Sequence, residues 1–100
     1  MSLTPANSTG QLSASTQIKT VPCRLMGFQL NAGSGTTTLT VYDSSVATSA
    51  AASMMDQHVL AANNNSIDQW WGPQGLTCNN GIYATLAGSG ASFILYYSLT

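Results

Sequence analysis

The sequence predicts an all-β protein, an antiparallel β-sandwich of jelly-roll or immunoglobulin-like type with six to eight short strands. Two observations support this prediction. Apolar and polar residues alternate over short segments, and small or turn-forming residues separate these segments. No long stretch shows the periodicity of an amphipathic helix. One hundred residues are enough for one such domain.

The strongest strand signal lies near the C-terminal end, in residues 91–99. Phe93, Leu95, Tyr97 and Leu99 share one face there, as period-2 alternation requires. Residues 88–90 read Gly-Ser-Gly, a turn signal, and residues 81–86 before them alternate in the same way. We therefore expect residues 81–86 and 91–99 to form a hairpin.

A second hairpin is predicted from residues 24–31 and 36–43, which flank the small residues of 32–35. Within the first arm the apolar residues change parity at Gly27. Before it they are Cys23 and Leu25; around and after it they are Met26, Phe28 and Leu30. A glycine at such a change of face predicts a bulge or a close backbone approach.

Two further strands and one ambiguous segment complete the interior. Residues 17–21 predict a strand that ends at Pro22, and residues 66–71 predict one that ends at Gly72-Pro73. Residues 46–60 carry apolar residues four apart, which is helical spacing, yet a strand around residues 55–60 fits equally well. Both interpretations stay open at this point.

The N-terminal residues differ from the rest. Residues 1–12 are polar and aperiodic, so we expect a flexible arm there, followed by a single sandwich domain over residues 13–100. The first residues have no basic region and no apolar core, so we expect no signal peptide and synthesis in the cytoplasm.

Charge is scarce in this chain. Charged residues make up 5% of the chain, whereas they make up roughly 25% of an average soluble domain. They are Lys19, Arg24, Asp43, Asp56 and Asp68. The net charge of −1 provides no basic footprint for nucleic acid or for an anionic membrane, and no apolar run approaches bilayer-spanning length. We therefore expect neither a nucleic-acid partner nor a membrane.

Few residues could do chemistry. His58 is the only histidine and has no ligand-spaced cluster around it, so we interpret it as an exposed or partner-facing residue on a loop. Asp43 follows a strand, a common position for a turn-forming aspartate. Cys23 and Cys78 are expected as reduced, packed thiols, with a bridge between them as the alternative. We expect no catalytic residue, no metal ligand, no cofactor and no enzymatic activity.

Trp70 and Trp71 must face opposite sides if they lie in one strand. Ile67 shares its parity with Trp71, which predicts that Trp71 enters the core and that Trp70 lies outside with Asp68. An outward Trp70 is an anchor for a partner, a platform for a sugar ring, or a side chain covered by a loop. The same reasoning places Tyr96 outward.

The order of residues 24–30, 38–43, 80–86 and 90–97 resembles small β-sandwich virion proteins of tailed bacteriophages, many of them capsid cement or decoration proteins. The resemblance covers roughly residues 15–99 and is one of strand and turn order. It implies a jelly-roll or immunoglobulin-like sandwich that assembles as a dimer or trimer on the capsid surface. Its expected partners are the major capsid protein and copies of itself.

The expected function is therefore that of a capsid decoration protein, which binds the assembled shell and stabilises contacts between capsid subunits. The alternative is a carbohydrate-binding or adhesion module of a head or tail fibre. Contacts are expected from the arm, from the outward aromatic residues and from residues 46–60. The candidate interface residues are Thr4, Pro5, Met54, Met55, His58, Trp70 and Tyr96.

Overall fold

The computed structural model describes residues 7–62, 65–72 and 74–99. They form a single 3₁₀ turn, Ala51–Ser53, and nine strands. In chain order the strands are β1 (Asn7–Ser8), β2 (Thr16–Lys19), β3 (Cys23–Asn31), β4 (Thr37–Tyr42), β5 (Met54–Leu60), β6 (Ser66–Trp70), β7 (Leu76–Cys78), β8 (Ile82–Ala87) and β9 (Ser92–Ser98).

The strands form two antiparallel sheets that pack face to face, which confirms the predicted β-sandwich. The first sheet has the order β1-β9-β3-β6, and β7 also pairs with β3. The second sheet has the order β2-β8-β4-β5. Because β6 and β7 pair with successive parts of β3, they act as one edge strand with a break between Trp70 and Leu76.

The core lies between the sheets and is built from the inward residues of both. Phe28, Leu30, Phe93 and Leu95 come from the first sheet, and the second contributes Leu39, Val41, Ile82 and Ala84. All of these side chains are almost fully buried. Removing this apolar surface from water is the main stabilising contribution to the fold.

Neither predicted hairpin exists, although the predicted strands do. β3 and β4 lie in different sheets, and so do β8 and β9. The alternation that predicted the hairpins specifies which side of a strand faces the core. It does not specify which strand lies beside it, since a crossing between sheets leaves the same pattern.

The two turns that were expected to close hairpins instead carry the chain from one sheet to the other. They also touch: the backbone N–H of Ser34 donates to the carbonyl of Ser89 at 3.0 Å. A β-carbon at Gly33 would lie 2.0 Å from that same carbonyl oxygen. Glycine is therefore required at position 33 because a neighbouring loop occupies the space of a side chain.

The bulge predicted near Gly27 is present. The register between β3 and β9 shifts between Leu25 and Gly27, which leaves Met26 as the extra residue. The shift allows Leu25 on one side and Phe28 on the other to point inward, and Met26 is also buried. The change of parity in the sequence was thus a correct signal.

Residues 46–60 contain a strand, and their helical spacing produces only the 3₁₀ turn Ala51–Ser53. β5 pairs with β4 along its whole length and forms an edge of the second sheet. His58 therefore lies on a strand, and its expected position in a loop was wrong. β4 supplies backbone hydrogen-bond partners along this segment, whereas a helix of this length is marginal on its own.

The described part of the expected arm, residues 7–12, pairs with the sandwich. Asn7 and Ser8 pair with β9, and Leu12 exchanges backbone hydrogen bonds with Phe93 at 2.8 Å in both directions. For these residues the expectation of a free arm was wrong, because β9 offers an open edge that they fill. Thr4 and Pro5 lie outside the described residues.

Candidate functional site

Trp70 and Trp71 diverge as the sequence predicted. Trp70 lies on the outer face of the first sheet, and 54% of its surface is exposed. Trp71 packs against the core, with its ring centroid 5.8 Å from that of Phe28. The exposed indole is therefore a surface feature that the fold does not need for its core.

A glycine creates the place where the Trp70 ring lies. Gly27 on β3 is the register partner of Trp70 on β6 and of Tyr96 on β9. A β-carbon on Gly27 would come within 2.6 Å of the indole Cε3 atom, so the ring rests against bare backbone. The Tyr96 ring meets the indole edge-on, with centroids 6.1 Å apart.

These rings border an open cleft of about 350 Å³, which we call the aromatic cleft. Its lining residues are Phe28, Gln29, Asp68, Gln69, Trp70 and Tyr96. The volume falls within the range of small-ligand sites, roughly 300–1,000 Å³. By strand register, Gln29, Asp68, Trp70 and Tyr96 thus share the outer face of the first sheet, where an amide and a carboxylate lie beside two aromatic rings.

Asp68 is distinctive among the charged residues. Within the ranges 7–62, 65–72 and 74–99 it is the charged side chain with no hydrogen-bond, ion-pair or cation–π partner. By contrast, Arg24 donates to the Gln74 carbonyl at 2.9 Å, and the Lys19 ammonium lies 5.0 Å from the Tyr97 ring centre. The carboxylate in the aromatic cleft is therefore available to a ligand or partner.

Asp43 does not form a turn of its own, so that expectation was wrong. Its carboxylate accepts backbone N–H bonds from Asn79 at 3.1 Å, from Asn80 at 2.8 Å and from Gly81 at 3.4 Å. It thereby fastens the loop between β7 and β8 to the end of β4. This is a structural use of the carboxylate, in a different part of the molecule from the aromatic cleft.

His58 and Asp56 form a pair on β5. The His58 Nε2 and Asp56 Oδ2 atoms are 2.8 Å apart, and each side chain is about three-quarters buried. The imidazole also packs on Phe28, with centroids 4.6 Å apart. Across the described residues no three His, Cys, Asp or Glu side chains converge on a metal-binding geometry. The pair has the contacts of a packed, structural side-chain pair.

The structure brings together only part of the proposed interface. Trp70 and Tyr96 share the aromatic cleft, whereas Met54 and Met55 lie on β5 in the second sheet. Met54 is exposed, but Met55 packs on the core and its Sδ lies 3.4 Å from the Cys78 Sγ. The candidates thus separate into an aromatic surface and an edge strand.

Sequence reasoning missed the residues that shape the aromatic cleft. Gly27 was recognised as a bulge signal but not as the surface on which an indole rests, and Gln29 was not considered. Both roles depend on the register of three strands that are distant in sequence. Period-2 alternation did correctly predict that Asp68 lies on the same outer face as Trp70, because the two residues are two positions apart on β6.

Comparison of this chain with family models, with curated proteins and with solved structures gave no match. Separately, the described residues include no helix with the length and hydropathy that crossing a bilayer requires.

Proposed function

We propose that this chain is a non-enzymatic structural protein of a virion, a capsid decoration protein that binds the assembled shell through the aromatic cleft. The observation that carries the proposal is the exposed Trp70 ring, which meets the partly buried Tyr96 ring on the outer face of the first sheet. The resemblance of its strand order to small β-sandwich virion proteins supports the same function.

The aromatic pair has the properties of an interface anchor. Tryptophan and tyrosine are enriched at the residues that contribute most binding free energy, because they bury large apolar areas with few rotatable bonds. Trp70 is held between Gly27 and Tyr96, so little of its conformational freedom remains to be lost on binding.

Scarce charge suits a protein present in many copies on a lattice. Neighbouring copies with a net charge of −1 repel each other weakly, and attachment through neutral groups depends little on salt. A ligand that binds the assembled shell and not the free subunits shifts the equilibrium toward the shell. Modest contacts then sum over many copies.

The direct test measures attachment to shells that lack this protein. The purified chain is mixed with such shells, sedimented and counted per shell, at low and at high salt. We expect saturable, salt-tolerant attachment that raises the melting temperature of the shell. Attachment that is absent, or that vanishes at high salt, would contradict the proposal.

Two variants locate the contact. Trp70→Ala removes the indole and is expected to reduce shell binding at least tenfold, as hot-spot truncations do. Val21→Ala removes an exposed apolar side chain in the connection between β2 and β3 and serves as the matched control, with binding unchanged. Equal binding by both variants would exclude the aromatic cleft as the docking surface.

A second candidate function is carbohydrate binding at the same cleft. It is favoured by the unpartnered carboxylate of Asp68 beside Trp70, because sugars present hydroxyl donors next to an apolar ring face. Titration of oligosaccharides against the tryptophan fluorescence would decide it. Quenching that Trp70→Ala and Asp68→Asn both abolish supports sugar binding, and an unchanged spectrum across the series excludes it.

A further inference from the structure

The two cysteines face each other across a strand pair. Cys23 on β3 and Cys78 on β7 are direct register partners in the antiparallel ladder. Opposed residues in such a ladder have α-carbons about 4.5–5.5 Å apart, and disulfides join α-carbons about 4.4–6.8 Å apart. Both side chains are buried on the inner face. The backbone is therefore already placed for a bond between the two sulfurs.

Both thiols are free and buried, and both belong to the hydrophobic core cluster. The Cys78 Sγ also lies 3.4 Å from the Met55 Sδ and 3.7 Å from the Leu76 carbonyl oxygen. Among the described residues, no third His, Cys, Asp or Glu joins them in a metal-binding cluster. The pair is thus suited to oxidation and not to metal binding.

A small reagent has a route to this pair. An open cavity of about 200 Å³ is lined by both cysteines together with Arg24, Thr77 and Leu99. Cys23 retains 6% of its surface exposure, whereas Cys78 has none. Cys23 is therefore the sulfur that a reagent in this cavity meets first.

We propose that Cys23 and Cys78 form a modification site, at which exchange with a small-molecule disulfide closes a bond between β3 and β7. The Cys23 thiolate attacks one sulfur of the reagent, whose S–S bond breaks and releases one thiol that takes up a proton. The Cys78 thiolate then attacks the Cys23 Sγ and releases the second thiol. The two cysteines lose two electrons and two protons, and the reagent becomes two thiols.

The environment of the sulfurs makes this step slow near neutral pH. Burial raises the pKa of the Cys23 thiol, and burial raises the pKa of the Cys78 thiol to about 12. Since the thiolate is the attacking species, the rate of closure increases as the pH rises.

The bond would constrain a large part of the chain. β4, β5 and β6 all lie between the two cysteines in sequence, and they belong to both sheets. Closing such a long loop lowers the entropy of the unfolded chain, and its expected effect is a rise in melting temperature of about 10–20 °C. The bond would also fix β7, which is only three residues long and pairs with β3 alone.

The test incubates the reduced protein with oxidised glutathione at pH 8 and pH 9.5 and follows mass and melting temperature. We expect loss of two hydrogen atoms in mass, one peptide pair linking Cys23 to Cys78, faster closure at the higher pH, and a melting temperature that reductant restores. Persistent thiols at both pH values, a disulfide-linked dimer, or a stable glutathione adduct on the wild-type chain would each overturn the proposal.

Single variants test the order of the two steps. Cys78→Ala is expected to stop at a glutathione adduct on Cys23, whereas Cys23→Ala is expected to leave Cys78 unmodified in the folded state. Rapid modification of Cys78 in Cys23→Ala would overturn the assigned order. Should either variant fail to fold, the mass and melting temperature of the wild-type chain still decide whether the bond forms.

Discussion

The indole of Trp70 rests on the backbone of Gly27, where a β-carbon would approach the ring to 2.6 Å and the carbonyl oxygen of Gln69 to 2.5 Å. One missing side chain on the central strand β3 thereby determines the shape of the surface above it. The relationship links the bulge, the aromatic cleft and the exposure of Trp70, and it can be tested by substitution.

Gly27→Ala is expected to lower the free energy of unfolding by about 1–3 kcal/mol, because the new methyl group overlaps backbone as well as the ring. Denaturant unfolding measures this change, and the displaced indole should alter the tryptophan fluorescence. Gly35→Ala is the matched control, since a β-carbon there meets nothing within 4 Å. A loss of stability as large in Gly35→Ala would show that the effect is not steric.

The two tryptophans should differ in their importance for stability. Trp71→Ala removes a ring that packs on Phe28 and is expected to cost about 2–4 kcal/mol, whereas Trp70→Ala removes an exposed ring and is expected to cost less than about 1 kcal/mol. Thermal and chemical unfolding of both variants would measure the difference. The reverse order would mean that the aromatic cleft is part of the core.

Asp43→Asn should destabilise the fold by about 1–3 kcal/mol, because three backbone N–H groups of residues 79–81 lose a charged acceptor. Faster amide hydrogen exchange at Asn80 would show that the same loop is released. Asp68→Asn makes the same chemical change at a carboxylate that has no partner among the described residues. It is expected to alter stability by less than about 0.5 kcal/mol.

Alkaline pH should destabilise the reduced protein through Cys78. Burial raises the pKa of this thiol from about 9 to about 12, so between these values the unfolded chain releases a proton that the folded chain keeps. The stabilising contribution of the protonated Cys78 thiol to the free energy of unfolding is fully present below pH 9. It is lost as the pH rises toward 12, by up to about 1.4 kcal/mol per pH unit. Cys78→Ala should show a flatter decline in unfolding free energy between pH 9 and pH 11. Parallel declines would contradict this assignment.

The alternation of apolar and polar residues predicts which side of a strand faces the core, but it does not predict which strands are neighbours. Parity in residues 91–99 correctly placed Phe93 and Leu95 inside, and parity at Gly27 correctly predicted a bulge. Strand neighbours could not be predicted, because a strand that crosses to the other sheet and one that turns back bury the same side chains. Both predicted hairpins failed for that reason.

The candidate site was predictable to the same degree. The outward direction of Trp70 follows from its neighbours in sequence, but the position of its ring depends on Gly27 and Tyr96, which are 43 and 26 residues away in the printed sequence. The carboxylate of Asp43 likewise bonds to residues 36 to 38 positions away. The position of the Trp70 ring and the partners of the Asp43 carboxylate depend on contacts between distant segments, which local sequence patterns do not reveal.

The position of β9 has a consequence for how the chain folds. β9 follows every other strand in sequence, yet it lies inside the first sheet between β1 and β3. That sheet cannot close around its central strand until residues 92–98 have been synthesised, and the crossings at Ser34 and Ser89 offer no local hairpin to begin from. Folding therefore depends on contacts between distant parts of the chain. We expect milliseconds to seconds for the refolding time, which is the range typical of β-sandwiches with high contact order.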